Sequence, residues 1–437
     1  MARPPDGDRR GALGSGTQVV FALILAAAVV QFGMFVVLLA GKGEFRDFAA
    51  GYTAALVAGR GGPFYDPQPD HQWFGATQNP ELLAAARQAG TLHQHPAFEH
   101  VHVFSYPPAM LFVFLPFTVL PFQAAKLIWL FLSLCMIGGA LWLLIRELPF
   151  DRASVLGLLF LAAIFHPLRN TVDLGQVNAL IFLGLAAFWV LHRRGRDAGA
   201  GVVLGLLAAV RFHPGLLVLF LLWRRQFLTA GVALAVAGVM SLAATAVFGM
   251  RDALVYLEQV APKLTTPLIS VENHSVAGFL STLGHAWGWG APDGVVGPAW
   301  LAWVSAVTVL GATLWILSRG RGSGSDGRLT DPELALILVA IPLATPNATI
   351  NHLLMILPSI GILVDRMVKR EQHRNILWPV VVGLAVILIG VVDDFYVHPA
   401  LSRGPWILLA QIKFYGLAML YTALARAVLE TGKTQRG

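Results

Sequence analysis

Long apolar runs separated by short polar loops fill the chain from Gln18 to Leu429. A helix needs about 20 apolar residues to cross the hydrocarbon core of a bilayer. Runs of or near that length fall at 18–40, 122–145, 152–167, 173–191, 227–249, 298–318, 331–345, 348–365, 375–392 and 405–429. Two shorter ones, 199–210 and 213–223, read as a hairpin that dips into the membrane and turns at Arg211-Phe212-His213-Pro214. The stretch 107–121 would invert every later segment if it crossed. It reads as a re-entrant or interfacial hairpin, which membranes tolerate where protein or a cavity shields the backbone. The pattern predicts an all-α polytopic membrane protein of about a dozen transmembrane helices, forming one integral membrane domain over 1–437.

Clustered cations in short loops mark the cytoplasmic side. They sit at His192 to Arg196, Arg224-Arg225, Arg319 to Arg328 and Asp365 to Arg374. This orientation puts both termini inside and two long loops outside. The first, 41–105, has helical stretches at 45–59 and 80–89; the second is 250–297. The linker 319–330, rich in Gly and Ser, reads as a flexible cytoplasmic connector. The first run follows Arg3, Arg9 and Arg10 and is too long for the core of a usual cleaved signal, so it reads as an uncleaved helix. No internal repeat of the transporter kind is found.

Composition sharpens the class. Of 437 residues, 56% are hydrophobic and 13% charged, against roughly 25% charged in an ordinary soluble domain. The net charge of +7 lies largely in the cytoplasmic loops, so it gives no reason to invoke nucleic acid. The single cysteine, Cys135, rules out an internal disulfide and a multi-cysteine metal site.

Polar groups at membrane depth or at helix mouths are costly and are therefore functional candidates. Here they collect at the exterior boundary: Asp47, Tyr106-Pro107-Pro108, Gly175-Gln176-Val177-Asn178, Arg211 and His213, Asn273-His274-Ser275, His352, and Asp393-Asp394. Asp47, just past the first span, could serve as a base on a hydroxyl, although a charge favoured by a helix dipole would also explain it. Arg211 is shaped to bind phosphate oxygens, with snorkelling to headgroups as the plainer alternative. His352 could bond a sugar or phosphate, or simply pack. The stretch 92–102, with His93, His95, His100, His102 and Glu99, carries i, i+2 histidines that a strand could turn toward one ion; a solvated loop explains them equally well. There is no Gly-rich phosphate loop, nucleophile elbow or HExxH motif.

In order along the chain, these residues resemble glycosyltransferase family 87. The resemblance is carried by Asp47 and Tyr52, Gly-Gly-Pro-Phe-Tyr-Asp at 61–66, Tyr106-Pro107-Pro108 and Gly175-Gln176-Val177-Asn178. It continues through Arg211 to Pro214, Asn273-x-Ser275, and Thr345-Pro346 leading to His352 and Leu357-Pro358. It implies a GT-C type fold and transfer of a sugar, mannose foremost, from a polyprenyl-phosphate donor to a lipid or glycan acceptor. It further implies that Asp47 is the general base, that Arg211, Gln176 and Asn178 bind the donor phosphate, and that Tyr52, Tyr106, Asn273, His274 and His352 bind substrate. Two departures stand out: Arg211 occupies a position usually held by Lys, and Asn351 replaces the first of a His pair. No metal or other cofactor is expected. The partners are the donor, the acceptor and membrane lipids, at the exterior face of a bacterial inner or plasma membrane. A transporter or lipid flippase, or a transferase using another lipid-linked sugar, is the competing reading; the transporter would need midplane charges and repeat symmetry.

Overall fold

The computed structural model describes residues 15–65, 77–95, 98–288, 296–320, 327–369, 377–392, 401 and 406–434. It begins with α1 (Ser15–Lys42), a long apolar helix, after which the chain turns into α2 (Arg46–Gly59) and α3 (Pro80–Ala89). Asn79 caps α3 by accepting from the Glu81 and Leu82 N–H groups, and left-handed Gly90 ends it. β1 (His93–His95) and β2 (Phe98–His100) form a small antiparallel hairpin with His93 opposite His100. The hairpin departs from the all-α expectation, and the two-residue spacing of the histidines is its sequence trace.

The segment after the hairpin is broken. A 3-10 turn at Pro108–Met110 leads to α4 (Leu111–Phe114) and a second 3-10 turn at Leu115–Val119. Pro107, Pro108, Pro116 and Pro121 remove amide donors and interrupt the ladder. The rings of Phe114 and Phe117 pack on Phe48 of α2, at 5.9 and 5.6 Å.

Next come α5 (Phe122–Glu147), then α6 (Arg152–Ile164) and α7 (His166–Asp173), which meet at a 46° bend. They are followed by α8 (Asn178–Arg193), α9 (Asp197–Val210), α10 (Leu217–Trp223) and α11 (Phe227–Phe248). The expected hairpin over 199–223 is present, with Arg211 at its turn. The region 250–297, expected as a loop, is largely helical where described: α12 (Met250–Val255), α13 (Ala261–Leu264) and α14 (Val276–Ala286). The chain ends with α15 (Ala299–Arg319), α16 (Asp331–Ala344), a 3-10 segment Ile350–Ile356, α17 (Leu357–Lys369), α18 (Leu377–Val386), α19 (Ile407–Ala410) and α20 (Ile412–Thr434).

Among the described residues six helices are long and apolar enough to cross a membrane, or seven if α6 and α7 count as one bent span. Helix length therefore does not establish the expected dozen, because several apolar runs fold as short or broken helices. The chain is nonetheless a multi-pass helical membrane protein.

Two packing features position the site. Gly201 and Gly205, one turn apart on α9, let it lie against α11. A Cβ on Gly201 would come within 2.6 Å of the Thr229 carbonyl, and one on Gly205 within 2.5 Å of the Ala233 carbonyl. At the other end of these helices the charged loops interlock. Arg194 pairs with Glu147 at 2.7 Å, Arg328 with Asp197 at 3.1 Å, Arg193 with Asp331, and buried Arg224 with buried Glu333. This basic layer gathers the C-terminal ends of α5, α8 and α10 with the N-terminal ends of α9 and α16.

Candidate active site

The turn between α7 and α8 is the keystone. Gly175 is left-handed (φ +64), and a Cβ there would lie 2.8 Å from both Phe45 and Phe48. Only glycine fits. Its carbonyl accepts from the Trp129 indole at 2.8 Å. The neighbouring Leu174 carbonyl accepts from the Asp47 amide at 3.0 Å, satisfying a first-turn donor of α2. Phe45, before α2, is also left-handed (φ 50) and fully packed. Its strained backbone turns the chain out of α1. The helix carrying Asp47 is thus fastened to the turn carrying Gln176.

From that junction a polar network runs across the site. The Gln176 amide N–H donates to the Asp47 carboxylate, and the Gln176 carbonyl accepts from Asn178 at 3.2 Å and from Arg211 at 3.4 Å. Arg211 also donates to Asn178 Oδ1 at 2.9 Å, and its guanidinium lies 5.3 Å from the Tyr106 ring centre. His352 Nδ1 accepts from the Thr349 amide at 2.9 Å, so the neutral ring carries its proton on Nε2. That Nε2 faces Arg211 Nη2 at 2.5 Å. Arg211 and His352 thus stand side by side on the cavity wall.

These groups border a cavity of about 810 Å³ whose wall includes Asp47, Tyr106, Asn170, Asp173, Gln176, Arg211, Glu272, Asn351 and His352. One side is apolar, formed by Phe35, Leu38 and Leu39 of α1. A volume of this order suits a small ligand or headgroup. Burial raises the Asp47 carboxyl to about 6, against the opposing pull of Arg211 and Arg46. It is therefore mostly ionised at neutral pH yet basic enough to accept a proton.

Asp47, Gln176, Asn178, Arg211, Tyr106 and His352 are brought together. Tyr52, Asn273 and His274 do not line the cavity. The Tyr52 hydroxyl donates to the Leu120 carbonyl at 2.7 Å and ties α2 to the broken segment. Asn273 donates to the Leu268 and Pro346 carbonyls and accepts from Ser275 and the Ala348 amide, joining two loops. His274 is wholly buried, and burial together with nearby Lys413 and His166 pulls it down to about 3. Tyr65, from the 61–66 stretch, donates to the Tyr106 carbonyl at 2.6 Å and so braces a cavity residue. Asp66 and Asp393-Asp394 lie outside the described residues. The His93, His100 and His102 rings cluster at 5.3 to 6.1 Å, but no group of three or more metal-ligating side chains is assembled among the described residues. Sequence reasoning missed Asn170, Asp173 and Thr349, whose place in the wall follows from the α7 bend and from the turn before His352.

Residues 104–346, more than half of the chain, match the sequence profile of Glycosyltransferase family 87. Asp47 and His352 lie outside that match and rest on the geometry above. A polyprenol-phosphate-mannose-dependent alpha-(1-2)-phosphatidylinositol pentamannoside mannosyltransferase of Mycobacterium tuberculosis (strain CDC 1551 / Oshkosh) is 28% identical over 63% of this chain and 61% of its own. A polyprenol-phosphate-mannose-dependent alpha-(1-2)-phosphatidylinositol mannoside mannosyltransferase of Mycolicibacterium smegmatis is 26% identical over 62% of this chain and 63% of its own. The chain thus spans about three-fifths of the length of these curated relatives. Among solved structures, apo ArnT from Cupriavidus metallidurans aligns over 97% of this chain and 78% of its own, with a TM-score of 0.40 and 14% identity.

Proposed function

Because the chain belongs to glycosyltransferase family 87, we propose that it is an inverting, polyprenyl-phosphate-sugar-dependent glycosyltransferase with a GT-C type architecture. It moves mannose to a lipid or glycan acceptor at the exterior face of a bacterial inner or plasma membrane. The donor sugar is supported by the names of the relatives, which are mannosyltransferases dependent on polyprenol-phosphate-mannose. Exterior placement is supported by the basic layer, which lies at the far ends of α8 and α9 from the cavity.

The observation that carries the reading is a carboxylate and a guanidinium on one cavity, joined through Gln176; they would serve as base and phosphate-binding cation. In the proposed reaction an acceptor hydroxyl oxygen attacks the anomeric carbon and gives its proton to the Asp47 carboxylate. The bond from that carbon to the phosphate oxygen breaks, and polyprenyl phosphate departs with the electron pair. Attack opposite the leaving group inverts the centre, giving an α-linkage from a β-linked donor. The phosphate is a good leaving group, so no strong acid is required. Arg211 and the Nε2–H of His352 converge where charge grows on it, which makes electrostatic stabilisation the main catalytic term. The apolar flank from α1 suits the start of the isoprenoid chain.

Asp47→Asn tests this directly. The amide keeps the shape and cannot take the proton, so transfer to acceptor is expected to fall about 10²–10⁴-fold with thermal unfolding in detergent unchanged. Near-normal turnover by the folded variant removes Asp47 from the role of base.

A further inference from the structure

One buried charge near the site has no part in the scheme above. Lys126 stands about one turn into α5, at the end of that helix opposite the basic layer, and is only 5% exposed. A buried ammonium is costly unless its surroundings hold it. Among the described residues its Nζ makes one hydrogen bond, to the Gly43 carbonyl at 3.2 Å, and no ion pair; it lies 5.7 Å from the centre of the Phe45 ring. Both contacts fall on the short link, Gly43 to Phe45, that joins α1 to α2.

That link is part of the cavity wall, and Asp47 follows it directly. Phe45 is held at φ 50, a strained conformation for a bulky residue, which persists only where the surroundings over-determine it. A Cβ on Gly43 would lie 2.7 Å from the Phe45 ring, so the corner is tight. On its outer side Glu44 pairs with Arg46 at 2.8 Å, but both are about half exposed and such a pair holds little. Lys126 is the buried hold. Nearly one turn further along α5, Trp129 donates to the Gly175 carbonyl at 2.8 Å and stacks on Phe48 at 5.3 Å. One face of α5 thus grips both sides of the junction between Asp47 and Gln176. We infer that Lys126 is a positioning residue for Asp47: its ammonium holds the Gly43 carbonyl and the Phe45 ring, and so fixes the corner from which the carboxylate enters the cavity. The inference rests on the glycosyltransferase reading above, in which Asp47 is the base.

The test uses the full chain in detergent, with polyprenyl-phosphate mannose as donor and a bacterial membrane-lipid extract as acceptor. Lys126→Met keeps the apolar stem and removes the ammonium. Its kcat is expected to fall roughly 10–100-fold, the loss for a reacting group displaced by about 1 Å. KM for the donor is expected to stay near the wild-type value, because Arg211 and His352 are carried by other elements. Lys126→Arg, which keeps a cationic donor, is expected to restore most of kcat. In an Asp47→Asn background Lys126→Met is expected to cost nothing further, since no base is left to misplace; a merely structural role would lower that residual activity as well. If Lys126→Met fails to fold, Lys126→Gln, which keeps an N–H for Gly43 without the charge, is measured in the same way. An unchanged kcat in a folded, uncharged variant overturns the inference. So does an equal loss in the Asp47→Asn background, or a raised donor KM with kcat intact. Each of these leaves the transferase reading standing. Absence of transfer from any lipid-linked sugar by the wild type sinks that reading and this inference with it.

Discussion

In the proposed mechanism a carboxylate takes a proton and a guanidinium holds a phosphate; left to themselves, the two would pair with each other. Gln176 prevents this by giving its N–H to Asp47 and its carbonyl to Arg211. The amide keeps the two charges close enough to share a substrate and separate enough to stay available. Asp47 accordingly sits near 6, with burial outweighing the two arginines. The base is active when deprotonated, so kcat/KM is expected to rise with pH through about 6 and level off above it. In Gln176→Leu, Arg211 can close on Asp47, which favours the carboxylate and shifts the acid limb to lower pH while the plateau drops. A pH–rate profile of both proteins checks this; an unmoved limb would mean that Gln176 does not separate the charges. The components of this network were legible as residue types: Gly175-Gln176-Val177-Asn178, Arg211 and His352 are polar groups interrupting apolar runs. The division of labour was not, because a sequence does not say that Gln176 lies between the two charges rather than beside the phosphate.

The elements explain how such distant residues meet. Asp47 is 129 positions from Gln176, and Arg211 is 141 from His352. Gly175 is the closest joint, so Gly175→Ala forces a strained φ and a clash with Phe45 and Phe48. We expect a loss of about 1–3 kcal/mol in detergent unfolding, and a larger proportional loss of transfer because Asp47 and Gln176 move apart. The second joint is the α9–α11 contact, which holds Arg211 at the end of α9. Gly205→Val places methyl groups against the Ala233 carbonyl and Val236. It should cost about 1–3 kcal/mol of stability, with Arg211-dependent donor binding weakened in parallel. Hydropathy made α5, α11, α15 and α20 legible, since each is a long unbroken apolar run. It was a poor guide to the 250–297 region, where short helices α12 to α14 lie in a segment with too few consecutive apolar residues to announce them. It also did not show where apolar runs break, because bends and short helices such as α7 and α10 depend on packing partners far along the chain.

At the scale of the whole molecule the polarity of the helices separates two chemistries. α8 and α9 both run between the basic layer and the cavity, α8 ending and α9 beginning at the charged loops. Ion pairs such as Arg194–Glu147 and Arg328–Asp197 hold that layer together, while Asp47, Gln176 and Arg211 sit at the opposite helix ends. If clustered cations remain on the cytoplasmic side, the cavity opens on the outer one, where a lipid-linked donor can be used without a soluble nucleotide sugar. The single cysteine makes this measurable. With exposed Cys135 replaced by alanine, Arg60→Cys reports the site end and Arg196→Cys the basic end; both positions are exposed. In intact bacterial cells a membrane-impermeant maleimide is expected to label the Arg60→Cys protein at once and the Arg196→Cys protein only after permeabilisation. The reverse pattern would put the cavity on the cytoplasmic face. Exterior transfer would then be excluded, and Asp47 and Arg211 would have to act on a donor presented from the cytosolic leaflet.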